Sequence, residues 1–206
     1  MVTQGPVLDD LHIPALGDAL PLVPTGPAWL EVARADLESV HADHLHCERK
    51  AAQSALSLIR SYPERADLVL AMARLAHDET RHVIQVAQLL SRREQAASYD
   101  HGDDYAAALR KLIRAKEPAR LLDRLLVFAV IEGRSAERLA LLAGALPDEK
   151  ARALYDSLAE AEVRHRDIFL SLARDAAPAE WRARAAELAA AEAELLAARI
   201  PLARIH

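Results

Sequence analysis

Apolar positions recur every three to four residues through most of this chain, the spacing that lines them up on one side of an α-helix. Gly26-Pro27 opens the first such segment with proline at a helix start. Leu30, Ala33, Leu37, Val40, Leu45, Ala52, Ala55 and Ile59 carry it to about Ser61, and Tyr62-Pro63 ends it. A second stripe, through Leu68, Met72, Leu75, Ala76, Val83, Val86 and Leu90, predicts a helix from about Glu64 to Glu94. A third predicted helix, about Ala119 to Ala143, holds the apolar run Leu125 to Ile131 with Glu132 directly after it. A fourth opens at Pro147-Asp148 and runs to about Arg174, and a fifth, rich in Ala and Glu, spans about Trp181 to Ala198. Strand-like alternation is missing.

The connections order these helices. Short links join the first helix to the second and the third to the fourth, which makes two antiparallel hairpins. The roughly 24 residues over 95–118, with a short basic helix from about Tyr105 to Lys116, form a crossover able to return along a bundle's full length. Residues 1–25, with prolines at 6, 14, 21 and 24, read as an extended N-terminal arm without visible chemistry. A chain of 206 residues can bury a substantial core in one piece, so 1–206 is expected to be a single domain.

Composition changes this picture little and excludes several chemistries. Apolar residues make up 52% of the chain and Gly numbers only 6, as expected of an all-α protein. The longest apolar run is far shorter than the ~18 to 20 residues that span a bilayer. Asp9, Asp10 and Asp18 precede the first basic residue, Arg34, which is unlike a targeting leader. A cytoplasmic protein with no membrane partner is the expectation. Cys47 is the only cysteine, so neither an internal disulfide nor a cysteine-based zinc or iron–sulfur site can form. The net charge is −5, yet Ala106 to Arg124 carries Arg110, Lys111, Arg114, Lys116, Arg120 and Arg124 against only Glu117 and Asp123. Arg110, Lys111 and Arg114 are therefore candidates to contact a polyanion.

One set of residues occurs twice. Glu48 is followed 31 residues later by Glu79-Thr80-Arg81-His82, and Glu132 is followed 30 residues later by Glu162-Val163-Arg164-His165. The two halves are offset by 84, 83 and 83 residues at the Glu, Glu and His positions. Glu38-Ser39-Val40-His41 has the same local form but lacks the matched upstream Glu and stands outside the repeat. A Glu on each of two helices and Glu-x-x-His on each of two others is how carboxylate-bridged di-metal sites are built in four-helix bundles, and a single long crossover is the ferritin-like topology. Residues three apart share a helix face, so each Glu-x-x-His presents one oxygen and one nitrogen ligand inward. Oxygen donors with one imidazole per metal and no thiolate suit iron, and less well manganese. Two divalent ions also cancel the charge of four carboxylates. Glu48, Glu79, His82, Glu132, Glu162 and His165 are the expected ligands of two iron ions. His44, four residues before Glu48, is a candidate to hold that carboxylate from outside. Gly133, beside Glu132, leaves two readings open: close helix packing, or space near the metals.

The strings around these ligands carry a resemblance. His44-Leu45-His46-Cys47-Glu48-Arg49-Lys50-Ala51-Ala52, Met72-Ala73-Arg74-Leu75-Ala76 running into Glu79-Thr80-Arg81-His82, Ile131-Glu132-Gly133-Arg134-Ser135-Ala136-Glu137-Arg138, and Ala161-Glu162-Val163-Arg164-His165 resemble the tRNA 2-methylthio-N6-isopentenyladenosine hydroxylases from about Trp29 onward. That family usually has Ala at the position of Gly133 and Cys at that of Ala136. The resemblance implies a ferritin-like di-iron monooxygenase that hydroxylates the isopentenyl group of the modified adenosine next to the anticodon. Dioxygen would be its co-substrate, a tRNA anticodon stem-loop its macromolecular partner, and a ferredoxin or reductase its electron donor. The alternative is a di-iron oxygenase acting on a free small-molecule substrate.

Overall fold

A computed structural model describes residues 16–206, so residues 1–15 of the expected arm lie outside the described residues. The helices are α1 (Pro27–Ala35), α2 (Leu37–Ser61), α3 (Ala66–Arg92), α4 (Asp104–Arg110), α5 (Ala119–Ala145), α6 (Glu149–Ala176) and α7 (Trp181–Ala197), preceded by a 3-10 turn at Gly17–Ala19. No strand occurs among the described residues. The hairpin α2–α3 packs on the hairpin α5–α6, with the crossover and α4 between them. This is the ferritin-like four-helix bundle, with α1 and α7 added.

Two boundaries differ from the sequence expectation. The first predicted helix is two helices, because Asp36 leaves helical geometry (φ −139°, ψ 69°) and its carboxylate accepts a hydrogen bond from the Ser39 amide at 3.0 Å. A side chain that serves equally as helix interior and as N-cap leaves no break in the apolar stripe to read. The crossover helix is shorter than expected. It starts where Asp103 caps the Ala106 amide at 3.0 Å and ends at Arg110.

The third predicted helix explains its own composition. The run Leu125 to Val130 is buried on every side because α6, α7, α1 and α4 all pack against α5. Each large aliphatic side chain buried there contributes ~1.5 to 3 kcal/mol. Such a helix holds an ionisable group only where that group is compensated, and Glu132 and Arg134 both lie on it at 5% exposure or less. Arg134 is compensated within the fold. Glu192 of α7 accepts from its Nε and Nη2 at 2.8 and 2.9 Å, Glu137 and Thr25 take Nη1, and the Val23 carbonyl takes Nη2. One buried guanidinium thus ties α5 to α7 and to the segment before α1.

Gly133 is resolved toward packing. A Cβ there would lie 2.9 Å from Leu22 Cδ1 and 3.4 Å from Arg166 Cδ, so the missing side chain admits the N-terminal segment.

No helix among the described residues is long and apolar enough to cross a membrane. The Glu192→Ala variant strands the buried Arg134 charge on this side. It should lose about 3 kcal/mol of stability by urea denaturation, with Glu192→Gln losing less because an acceptor remains.

Candidate metal centre

Glu48 comes from α2, Glu79 and His82 from α3, Glu132 from α5, and Glu162 and His165 from α6, each near the middle of its helix. All six are at least nine-tenths buried. Ligand atoms of Glu79, His82, Glu162 and His165 lie within 4.8 Å of one another. His82 Nδ1 stands 3.2 Å from Glu48, 3.4 Å from Glu79 and 3.6 Å from Glu162. His165 Nδ1 stands 2.8 Å from Glu79 and 3.7 Å from Glu162. Both imidazoles therefore turn the same nitrogen toward the carboxylates, with their rings stacked at 5.5 Å. Glu132 lies beside Glu162.

Both Glu79 oxygens, Glu162 Oε1 and His165 Nδ1 are buried without a hydrogen-bond partner among the described residues. Orphaned buried acceptors are rare and costly. Here they converge on one point, and that donor set fits divalent metal ions.

The electrostatics say the same. Burial pushes the Glu132 carboxyl well above its usual range, and neighbouring Glu162 adds to it. Burial and the charges of Glu79 and Glu48 raise Glu162. Burial and Glu48 push Glu79 up to about 7 against the opposing His165. For Glu48 burial also acts upward, but the charge and hydrogen bond of His44, with a hydrogen bond to His82, hold it well below the usual range. His82 is driven the other way. Burial would lower it, yet its hydrogen bond to Glu48 and the negative charges of Glu48 and nearby Glu79 raise it to about 10. Without metal, protons and imidazolium charge occupy this cluster where cations would otherwise balance it.

His44 Nε2 contacts Glu48 Oε1 at 2.5 Å. His41 is apart from the cluster, 3.4 Å from Gln95 and beside the Tyr155 ring. Sequence reasoning passed over Asp78. It is 7% exposed and reaches to 3.9 Å from His165 Nε2, the nitrogen facing away from the carboxylates. At that distance its carboxylate acts on the imidazole through charge and makes no hydrogen bond to it. The signal available was its place directly before Glu79.

A narrow channel of about 50 Å³ leads to Glu48, Glu132 and Glu162, with Ala51, Phe128, Ile131 and Phe169 as apolar wall. Lys50, Ser54, Arg110 and Phe128 belong both to this channel and to a groove of about 860 Å³ outside it. Six basic side chains line that groove and no acidic one does: Lys50, Arg60, Arg110, Arg114, Arg120 and Arg124. Lys50 and Arg60 come from α2, so the cationic surface is wider than the crossover. Arg114 is already paired. Buried Asp123 accepts from it at 2.8 and 2.9 Å, and Glu180 at 2.6 Å. Arg110 and Lys111 make no ion pair among the described residues.

Because His82 is raised from 6.5 to about 10, its pairing stabilises the metal-free protein fully below about pH 6.5 and is lost as pH rises through about 10. A divalent cation taking these positions must displace that proton. Calorimetric titration with Fe(II) or Mn(II) should therefore show proton release and an affinity that climbs with pH across this window.

Residues 17–206 match the family model described as tRNA-(MS[2]IO[6]A)-hydroxylase (MiaE). The tRNA 2-(methylsulfanyl)-N(6)-isopentenyladenosine(37) hydroxylase of Pseudomonas putida is 44% identical over 180 residues, 87% of each chain. The Salmonella typhimurium protein of the same name is 30% identical over 93% of this chain and 85% of its own length. Among solved structures, a Synechococcus protein described as having aldehyde deformylating oxygenase activity superposes with a TM-score of 0.86 at 37% identity, covering 91% of this chain and 95% of its own. With its whole bundle inside the matched region, this chain belongs to the tRNA-(MS[2]IO[6]A)-hydroxylase (MiaE) family.

Proposed function

We propose that this protein is a dioxygen-dependent, non-haem di-iron monooxygenase that hydroxylates the isopentenyl group of 2-methylthio-N6-isopentenyladenosine next to the anticodon of tRNA. The observation that carries the reading is the union of two surfaces. A groove with six basic and no acidic side chains shares Lys50, Arg110 and Phe128 with the channel that ends on Glu48, Glu132 and Glu162. A substrate with a phosphate backbone at one end and a short apolar branch at the other fits that combination.

On this reading Glu48, Glu79, His82, Glu132, Glu162 and His165 hold two iron ions, with manganese the poorer fit to the family. Bound there, the iron pair supplies reductive activation of dioxygen and delivery of one oxygen atom to a C–H bond. The chain's residues do the rest. Phe128, Ile131 and Phe169 hold the isopentenyl group and exclude water, His44 fixes the orientation of Glu48, Asp78 adds negative charge behind His165, and Arg110 and Lys111 hold the RNA backbone. The balance is substrate C–H, dioxygen, two electrons and two protons giving alcohol and water. A ferredoxin or reductase supplies the electrons.

A second reading, an oxygenase for a free small molecule, has one observation in its favour: the aldehyde deformylating oxygenase activity by which the Synechococcus protein is described. A neutral aldehyde has no use for a cationic groove, and that weighs against it. Reduced iron-loaded protein, isotopically labelled dioxygen and an anticodon stem-loop bearing the isopentenylated base should give RNA heavier by one labelled oxygen. The stem-loop without the isopentenyl group should give none. Unchanged modified RNA alongside continued dioxygen uptake would favour the small-molecule reading.

Two variants test the parts separately. Glu132→Ala should abolish the product and lower iron content, and two full equivalents of iron with normal turnover would remove Glu132 from the ligand set. Charge reversal at Arg110 and Lys111 should weaken stem-loop binding at least tenfold at low salt while iron content stays the same. Arg114 is left unchanged in this variant, because reversing it would strand the buried Asp123 carboxylate and Glu180.

A further inference from the structure

A second large cavity, about 700 Å³, lies between the segment before α1, the start of α4, the last turns of α7 and residues 199–206. That volume is within the ~300 to 1,000 Å³ of small-molecule sites. At its inner wall is Arg138, 6% exposed. The guanidinium lies over the Trp29 ring at 4.8 Å, and Nη1 donates to the Ile205 carbonyl at 2.8 Å. Its Nε is buried with no hydrogen-bond partner. Glu137 and Glu192 both bond Arg134, so two carboxylates balance two guanidinium groups here, while Arg138 has no ion pair among the described residues. Burial lowers this guanidinium to about 10, which leaves it charged at neutral pH. Arg138 thus meets no carboxylate in direct contact, and an anion delivered from the cavity would supply one.

The rim has a different chemistry. Val23, Ile200 and Leu202 are 55, 86 and 58% exposed, and all three line this one cavity. Contiguous exposed apolar side chains mark a surface that something covers. Leu196 continues the apolar wall inward. Arg199 donates to the Asp104 carbonyl at 2.8 Å, Arg204 donates to the Gly102 carbonyl at 3.0 Å and stands 3.9 Å from Asp43, and Asp103 is drawn off by His206 at 3.5 Å and Lys50 at 4.0 Å. The local balance therefore stays cationic.

We propose that this cavity binds an amphiphilic monocarboxylate of medium chain length, with the carboxylate on Arg138 and the chain along Leu196, Val23, Ile200 and Leu202. The site is independent of the RNA reading. Asp103 and His206 also line the channel to Glu48 and Glu132, so an occupant lies one wall away from it.

The probe is sodium decanoate below its micellar concentration, titrated into iron-loaded protein and followed by calorimetry and by tryptophan emission. Saturable binding of one equivalent is expected. The emission change should vanish in Trp29→Phe, since the only other tryptophan, Trp181, is buried in the bundle core. Arg138→Gln should weaken binding at least tenfold, and decanol should bind at least tenfold more weakly than decanoate. Ala193→Trp fills the cavity from α7 without touching Arg138 and should weaken binding equally, so it decides the matter should Arg138→Gln fail to fold. Absence of saturable binding, decanol binding as tightly as decanoate, or unaltered affinity in a folded Ala193→Trp variant would each overturn the proposal.

Discussion

The bundle is organised around burying four carboxylates and two imidazoles at one point. Glu79 and Glu162 keep oxygens without hydrogen-bond partners there, and Glu132 is forced toward its neutral form by burial and by Glu162. Groups this expensive to desolvate persist in a core when something bound compensates them. The four mid-helix positions, the two facing hairpins and the long crossover that brings them into register all serve that convergence.

The rest of the molecule keeps the point dry and fixed. The helix α5 is apolar on every side because α7, α1 and α4 cover the faces the bundle leaves open, and Arg134 fastens those additions through Glu192, Glu137 and Thr25. Gly133 lets Leu22 close over the same helix beside Glu132. Neither Gly133 nor Ala136 lines the channel to the carboxylates. A basic groove opens at the channel mouth on one side, and the Arg138 cavity lies behind Asp103 and His206 on another.

Much of this was legible in the sequence because it repeats. The offset of 84, 83 and 83 residues is visible without any structure, and apolar periodicity located the helices to within a few residues. What stayed hidden depends on partners distant along the chain. Nothing local marks Arg134 as the mate of Glu192, 58 residues away. Arg114 looked like a free cation because Asp123 and Glu180, which compensate it, come close only in the fold. Lys50 and Arg60 joined the basic groove for the same reason, from α2, some fifty residues earlier in the chain. Asp36 broke a predicted helix since an aspartate reads the same in a helix interior as at a cap, and Asp78 was masked by the more informative Glu79 beside it.

The central claim is that the buried carboxylate cluster oxidises a prenyl group carried on RNA. It is tested most directly by mass spectrometry of tRNA nucleosides from cells with and without this protein. Loss of the protein should shift the 2-methylthio-N6-isopentenyladenosine pool wholly to the unhydroxylated form, with every other modified nucleoside unchanged. An identical ratio of hydroxylated to unhydroxylated nucleoside in the two strains would contradict the account.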